Sequence, residues 1–153
     1  MTSSRIMLAS LAMTAVACGG PASSLEGSIG ESYPLAFDRV EIRRQDDFLL
    51  IEYLKDIAGG TNKICKIVVD TRDLNIKGDS NIRGPLFLDV VQVTRVAAQG
   101  GDFPAVKSGK IHFDTFQFRA NGHIEGDFEV VFETDRTLSG NFDDTSVELV
   151  DTT

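Results

Sequence analysis

Apolar and polar residues alternate with a period of two along several short stretches of the chain, a pattern typical of strands with one buried face. Turn-forming residues separate these stretches. Short strands at such close spacing predict an all-β fold, either a single antiparallel β-sandwich or a calycin-like barrel of about 8–10 strands. The predicted strands cover residues 25–29, 35–43, 48–54, 64–70, 86–96, 111–118, 123–132, 138–142 and 147–150.

The segment 47–58 fits two kinds of element. Its apolar residues alternate as in a strand, but they also follow helical spacing, and Gly59 and Gly60 could end a helix there. We favour the strand, and the helix stays as the alternative.

In the strand predicted at 111–118, the large apolar residues do not all fall on the same face. Ile111 and Phe113 would point to one face of a regular strand, and Phe116 and Phe118 to the other. One extra residue would switch the parity and let all four side chains be buried together. The spacing therefore predicts a β-bulge near residues 114–115.

A three-residue loop at 120–122, with a left-handed Gly122, is predicted to join this strand to the next. A two-residue Asn-Gly turn is the alternative, but it would set Phe118 against Glu125 and lose a ring burial worth about 1.5–3 kcal/mol. The predicted partners are Phe118 with Ile124, Phe116 with Gly126, Phe113 with Phe128 and Ile111 with Val130.

In the following hairpin, apolar residues or glycines also lie opposite one another if residues 134–136 form its loop. Three strands then share one Phe-rich inner face, on which Gly126 and Gly140 leave room for neighbouring rings. The predicted partners are Phe132 with Leu138, Val130 with Gly140 and Phe128 with Phe142.

Four aromatic residues on this face are candidates for an apolar ligand site or for the core. In a lipocalin-like carrier they would surround a cavity of a few hundred Å³. In a filled sandwich they would pack on one another, which we favour because bulky rings on three adjacent strands usually form core. The four residues are Phe113, Phe116, Phe128 and Phe142.

The N-terminus predicts a signal peptide over residues 1–17. A short basic start ends at Arg5, and residues 6–17 are apolar or small and carry no charge. Twelve helical residues span only about 18 Å, against a hydrocarbon core of roughly 30 Å, so this segment is too short to be a transmembrane anchor. We expect a lipidated N-terminus and flexible tether at 18–24 and one β domain at 25–153.

The residues before Cys18, Thr14-Ala15-Val16-Ala17, resemble a bacterial lipobox, in which the Cys is acylated and becomes the new N-terminus. Cys65 would then be a lone thiol, buried in a strand. In the alternative, ordinary cleavage leaves Cys18 free to form a disulfide with Cys65 in an oxidising compartment, and the protein is secreted or soluble in the periplasm.

Residues 19–24 are small or polar, as in a flexible tether that reaches at most about 20 Å. Gly19 follows the lipobox Cys where inner-membrane lipoproteins often carry Asp, so the resemblance implies sorting to the outer membrane. We therefore expect a cell-envelope protein that contacts the membrane through a lipid anchor.

Glycine and phenylalanine recur in a fixed pattern near the C-terminus. Residues 108–111 read Ser-Gly-Lys-Ile, residues 122–128 read Gly-His-Ile-Glu-Gly-Asp-Phe, and residues 138–143 read Leu-Ser-Gly-Asn-Phe-Asp. Together with the lipobox, these stretches resemble the closing β-meander of small, mostly uncharacterised bacterial lipoproteins. The resemblance implies the fold and the anchoring, and it transfers no catalytic residue.

The composition argues against two kinds of binding partner. The chain has 153 residues with 15 Lys plus Arg against 23 Asp plus Glu, a net charge of −8 that argues against nucleic acid as a partner. It has no Trp and only two Tyr, so stacking sites for sugars or single strands are also not expected.

No motif for catalysis or metal binding stands out, and we expect a non-catalytic protein without a cofactor or metal. His112 is predicted to face outward opposite Glu129 and His123 to lie beside a turn, neither of them in a ligand cluster. The acidic positions 125, 127 and 129, and the loop 70–81, predict solvated surface, not a calcium site. A partner protein in the envelope could instead contact the loop 100–108 through Phe103.

Overall fold

The computed structural model describes residues 23–98 and 100–150, and the predicted signal peptide and Cys18 lie outside these residues. It confirms the all-β fold and the sandwich: two five-stranded sheets pack together without closing into a barrel. No described helix is long and apolar enough to cross a bilayer. The elements are β1 (Ser24–Glu26), a 3-10 helix (Ser28–Glu31), β2 (Arg39–Gln45), β3 (Phe48–Ile57), β4 (Gly60–Asp70), β5 (Ser80–Arg83), α1 (Pro85–Val90), β6 (Val91–Val96), β7 (Val106–Phe116), β8 (Ile124–Phe132), β9 (Thr137–Asp144) and β10 (Glu148–Val150).

The two sheets differ in the direction of an edge strand. The first sheet has the order β1-β9-β8-β7-β5 and its pairs are antiparallel. The second has the order β10-β2-β3-β4-β6, and its edge strand β10 runs parallel to β2, an exception to the predicted antiparallel pairing.

The segment 47–58 forms strand β3, as favoured from its alternation. Gly59 adopts a φ of 90° in the turn to β4, where Ile57 pairs with Gly60. The two glycines therefore make a hairpin turn and do not end a helix, because pairing to strands on both sides satisfies the backbone of β3.

Two predicted strands were wrong in part, and one strand was missed. The predicted strand 25–29 ends at Glu26, and the 3-10 helix Ser28–Glu31 follows it. The segment 86–96 divides into helix α1 and strand β6, since Pro85 stands at the start of α1, where its fixed φ suits a helix and its missing N–H is not needed. Strand β5, which pairs with β7, was not predicted.

The bulge predicted near residues 114–115 is confirmed, because the β7–β8 register shifts between Phe113 and Thr115. The predicted partners are wrong by two positions. A two-residue offset keeps every side chain on its predicted face, so the inner face is unchanged. The observed partners are Phe116 with Ile124, Phe113 with Gly126 and Ile111 with Phe128.

The predicted β8–β9 partners are also wrong by two positions, because Val130 pairs with Leu138, Phe128 with Gly140 and Gly126 with Phe142. The loops account for both register errors. The β7–β8 connection spans residues 117–123, with Asn121 and not Gly122 at positive φ. A Cβ atom on Gly122 would lie 2.0 Å from the Gln117 carbonyl oxygen, so that glycine allows a close backbone approach. The β8–β9 connection spans residues 133–136, and its tight turn is 133–135 in place of the predicted 134–136. Asp135 takes the left-handed position at a φ of 60°, and the Phe132 N–H donates to the Arg136 carbonyl oxygen.

Aromatic rings from both sheets meet in the core. The Tyr53 ring of β3 lies 6.1 Å from that of Phe128, and its hydroxyl donates to the Asn141 carbonyl oxygen of β9 at 2.7 Å. A Cβ atom on Gly140 would lie 2.9 Å from the Phe128 ring, and one on Gly126 would lie 2.9 Å from the Phe142 ring. Both glycines leave room for rings, as the sequence predicted.

Candidate functional site

The four candidate aromatic residues belong to the packed core. Phe113, Phe128 and Phe142 are at most 1% exposed, and Phe116 is partly buried. The centroid of the Phe113 ring lies 5.0 Å from that of Phe116 and 5.9 Å from that of Phe142. Rings in mutual contact fill the space that a lipocalin-like ligand would need.

Phe103 was wrongly predicted to present a contact surface. Its side chain is 9% exposed, and its ring centroid lies 5.4 Å from that of Phe132 and 5.3 Å from that of Tyr33. The ring packs in the core, because the loop before β7 turns its one large apolar residue inward.

His112 stands in a cluster of carboxylates, contrary to the sequence prediction. The β7–β8 pairing sets it opposite Asp127 in place of Glu129. Its Nδ1 atom lies 3.4 Å from Asp127 and 3.6 Å from Asp114, and its Nε2 atom lies 3.2 Å from Asp79. Ligand atoms of His112, Asp114 and Asp127 all lie within 4.8 Å of one another, close enough to hold a metal ion.

The charges of this cluster favour a protonated imidazole. Asp79 raises the pKa of His112 above its ordinary value, and Asp127 and Asp114 add to this effect against the opposing effect of burial. A metal ion needs the neutral ring, so proton and metal compete for the same nitrogen. The direction of this shift favours a surface ion-pair network over a metal site.

Glu52 is a carboxylate buried at the middle of β3. It is 0% exposed, and its side chain accepts hydrogen bonds from Lys63 at 2.5 Å and from Arg43. Burial would raise its pKa, but the bonds from Lys63 and Arg43 outweigh that effect, so the pKa lies below its ordinary value. The Arg43 Nε atom is buried without a partner, although the guanidinium meets the Glu52 charge.

Arg95 is a buried cation on β6 of the same sheet. It is 2% exposed, and its Nη1 atom donates to the carbonyl oxygens of Pro34 at 3.0 Å and Ile64 at 3.2 Å. Its guanidinium carbon lies 5.9 Å from the ring centroids of Tyr33 and Phe103. Within residues 23–98 and 100–150 no carboxylate pairs with it, and its Nε atom is buried without a hydrogen-bond partner.

Sequence reasoning overlooked Arg95, although the pattern of β6 contains a signal. Val91 and Val93 face inward in this strand, and Arg95 continues their parity into the interior. A charged residue at an inward position of a strand is uncommon, because burying a charge is unfavourable unless the charge is paired.

No protein-family model, curated protein or solved structure matches the chain.

Proposed function

We propose that this chain is a lipid-anchored protein of the bacterial cell envelope that works by binding and not by catalysis. Cys18 carries the acyl chains, and the residues between Cys18 and β1 tether the domain to the outer membrane. A ligand or an envelope protein is bound by the folded domain.

The observation that supports the anchor is the burial of Cys65. Its thiol is free and 0% exposed in β4, where it packs in the core opposite Tyr53. Burial raises the pKa of the Cys65 thiol far above its ordinary value, so the thiol stays protonated and unreactive. A disulfide from Cys18 would have to enter this core, which leaves acylation as the better use of Cys18.

The position of β1 agrees with a short tether. Strand β1 starts at Ser24 and pairs with β9 at an edge of the first sheet. The six residue-to-residue steps from Cys18 to Ser24 extend at most about 20 Å, so the domain would stay close to the bilayer surface.

The contacts of the histidines do not fit a hydrolase of the Ser-His or Cys-His type. In the described part of the chain, the side-chain hydrogen bonds of His112 and His123 go to aspartates, and none goes to a Ser, Thr or Cys nucleophile. A hydrolase of the Ser-His or Cys-His type needs such a contact.

The test is detergent-phase partitioning of the full chain expressed in a bacterium, with mass analysis of its N-terminal peptide. We expect the chain in the detergent phase and the acyl mass on the peptide that begins at Cys18. Cys18→Ser should move the protein to the aqueous phase. Cys65→Ser is the matched control, since it removes the other thiol, and it should leave the protein in the detergent phase.

Recovery of the wild-type chain from the aqueous phase, with Cys18 bare or joined to Cys65, would overturn the anchor. That result would favour the secreted or periplasmic alternative. Detergent-phase partitioning that persists in the Cys18→Ser variant would also contradict the proposal.

A further inference from the structure

A cavity of about 620 Å³ opens beside Arg95, near the turn between β3 and β4. Small-molecule sites usually measure about 300–1,000 Å³ and are mostly apolar. Ile57 on this wall is 40% exposed, so part of the apolar lining faces solvent. The apolar wall consists of Pro34, Ala36, Ile57, Ala58 and Ile64.

Lys55 and Asn62, two other polar side chains around the cavity, already have polar partners. The Lys55 ammonium lies 3.5 Å from Asp38, and the Asn62 side-chain oxygen accepts from the Ala98 N–H at 3.1 Å. Burial lowers the pKa of Arg95, but a guanidinium stays protonated at neutral pH, and the direct partners of this charge are two carbonyl oxygens. The cavity therefore combines an apolar wall with one unbalanced positive charge.

The unpaired Nε atom lies on the side of the guanidinium next to Gly100. A Cβ atom added at Gly100 would lie 3.9 Å from Nε, and Gly100 also lines the cavity. No group in the described part of the chain satisfies this N–H, and a charged acceptor would bind it more strongly than a neutral one.

We propose that this cavity binds an aliphatic carboxylate of the fatty-acid class, with Arg95 as the counter-charge and the apolar wall around Ile57 in contact with the chain. One free positive charge matches a monoanion. A guanidinium also matches the planar carboxylate in shape and can donate two hydrogen bonds to it. The site extends the proposed binding role, but it does not depend on acylation of Cys18.

The test is calorimetric titration of the full chain carrying Cys18→Ser, which has no acyl group of its own to compete. Dodecanoate, dodecanol and dodecyltrimethylammonium serve as probes, each below its micelle concentration. They share one chain length and differ in head-group charge. We expect dodecanoate to bind about 10- to 100-fold more tightly than dodecanol, and the cationic probe not to bind.

Two pairs of variants assign the contacts, all in the Cys18→Ser background. Arg95→Met should lose the preference for dodecanoate over dodecanol, whereas Arg83→Met removes an exposed arginine of the other sheet and should keep it. Ile57→Ser should weaken both dodecanoate and dodecanol. Its control is Leu86→Ser, because Leu86 is 44% exposed on α1 and does not line the cavity.

Equal binding of dodecanoate and dodecanol by the protein with Arg95 intact would overturn the proposal, and so would an unchanged preference in Arg95→Met. If Arg95→Met does not fold, the comparison of the three probes on the protein with Arg95 still tests whether the cavity prefers a carboxylate. Failure of the anchor test leaves this result unaffected, and failure here leaves the anchor proposal standing.

Discussion

Glu52 and Arg95 are two buried charges on neighbouring parts of one sheet, and they are held in different ways. Glu52 receives hydrogen bonds from two cations, Arg43 and Lys63. Arg95 has an equally buried side chain, yet its bonds go to two backbone carbonyl oxygens. Among residues 23–98 and 100–150, the charge of Glu52 is neutralised by partners of opposite sign and the charge of Arg95 is not.

The difference separates a structural charge from a candidate binding charge. A buried ion gives up its hydration, which is tolerated when opposite charges and hydrogen bonds replace the water. Glu52 meets that condition through its own sheet. Arg95 meets it only in part, because it has hydrogen bonds to carbonyl oxygens and no carboxylate partner in the described residues. An anionic ligand in the adjoining cavity would supply the opposite charge.

The largest expected effect comes from removing both cations from Glu52. Replacing Arg43 and Lys63 with Met should lower the free energy of unfolding by about 3 kcal/mol, because a buried carboxylate loses its hydrogen-bonded partners. Adding Glu52→Met should restore most of this loss. Equilibrium urea denaturation at neutral pH measures both changes. A double variant as stable as the wild type would show that Glu52 needs neither cation.

A smaller loss of stability is expected at acidic pH. The folded-state pKa of Glu52 lies below its ordinary value of 4.5, so its stabilising contribution is present above that value and is lost as pH falls through the folded pKa. The urea midpoint of the wild type should therefore fall more steeply below about pH 4.5 than that of Glu52→Gln. Parallel profiles for the two proteins would contradict this role.

Arg95→Met should change stability less than either perturbation of Glu52. The variant gives up two hydrogen bonds to carbonyl oxygens, but it also removes an unbalanced buried charge, so we expect a change within about 1 kcal/mol in ligand-free protein. Urea denaturation beside the Arg83→Met control measures it. A loss as large as that of the Arg43 and Lys63 double variant would make Arg95 a structural charge as well.

The smallest effect is expected at the exposed His112 cluster. Asp79→Asn should lower the pKa of His112, measured by NMR titration of the ring protons, because Asp79 contributes most to raising it. Since the folded pKa is raised, this stabilisation is complete below the ordinary value of 6.5 and is lost as pH rises through the folded pKa. An unchanged pKa in Asp79→Asn would separate His112 from this network.

Much of the fold could be predicted from side-chain parity alone. The switch of parity between Phe113 and Phe116 located the bulge, because an apolar face has to stay buried. The registers failed by two positions, since a shift of two preserves every face and only the loops decide between the alternatives. The left-handed positions fell on Asn121 and Asp135, which parity does not determine.

The charged sites were harder to predict, because they depend on which strands are neighbours. The His112 cluster needs β5 beside β7, and β5 was not predicted. The cavity beside Arg95 needs β6 beside β4, with the segment that contains Pro34 close by. Strand parity could have marked Arg95 as inward-facing, but its missing counter-charge is visible only in three dimensions.

The most direct test of the central claim is an NMR measurement of the arginine Nε–Hε signals during titration with dodecanoate. Arg43 provides an internal reference, since its Nε atom is also buried without a partner but its charge is already paired with Glu52. We predict a saturable shift of the Arg95 signal and no shift of the Arg43 signal. An Arg95 signal that stays in place, or that moves together with the Arg43 signal, would contradict the account.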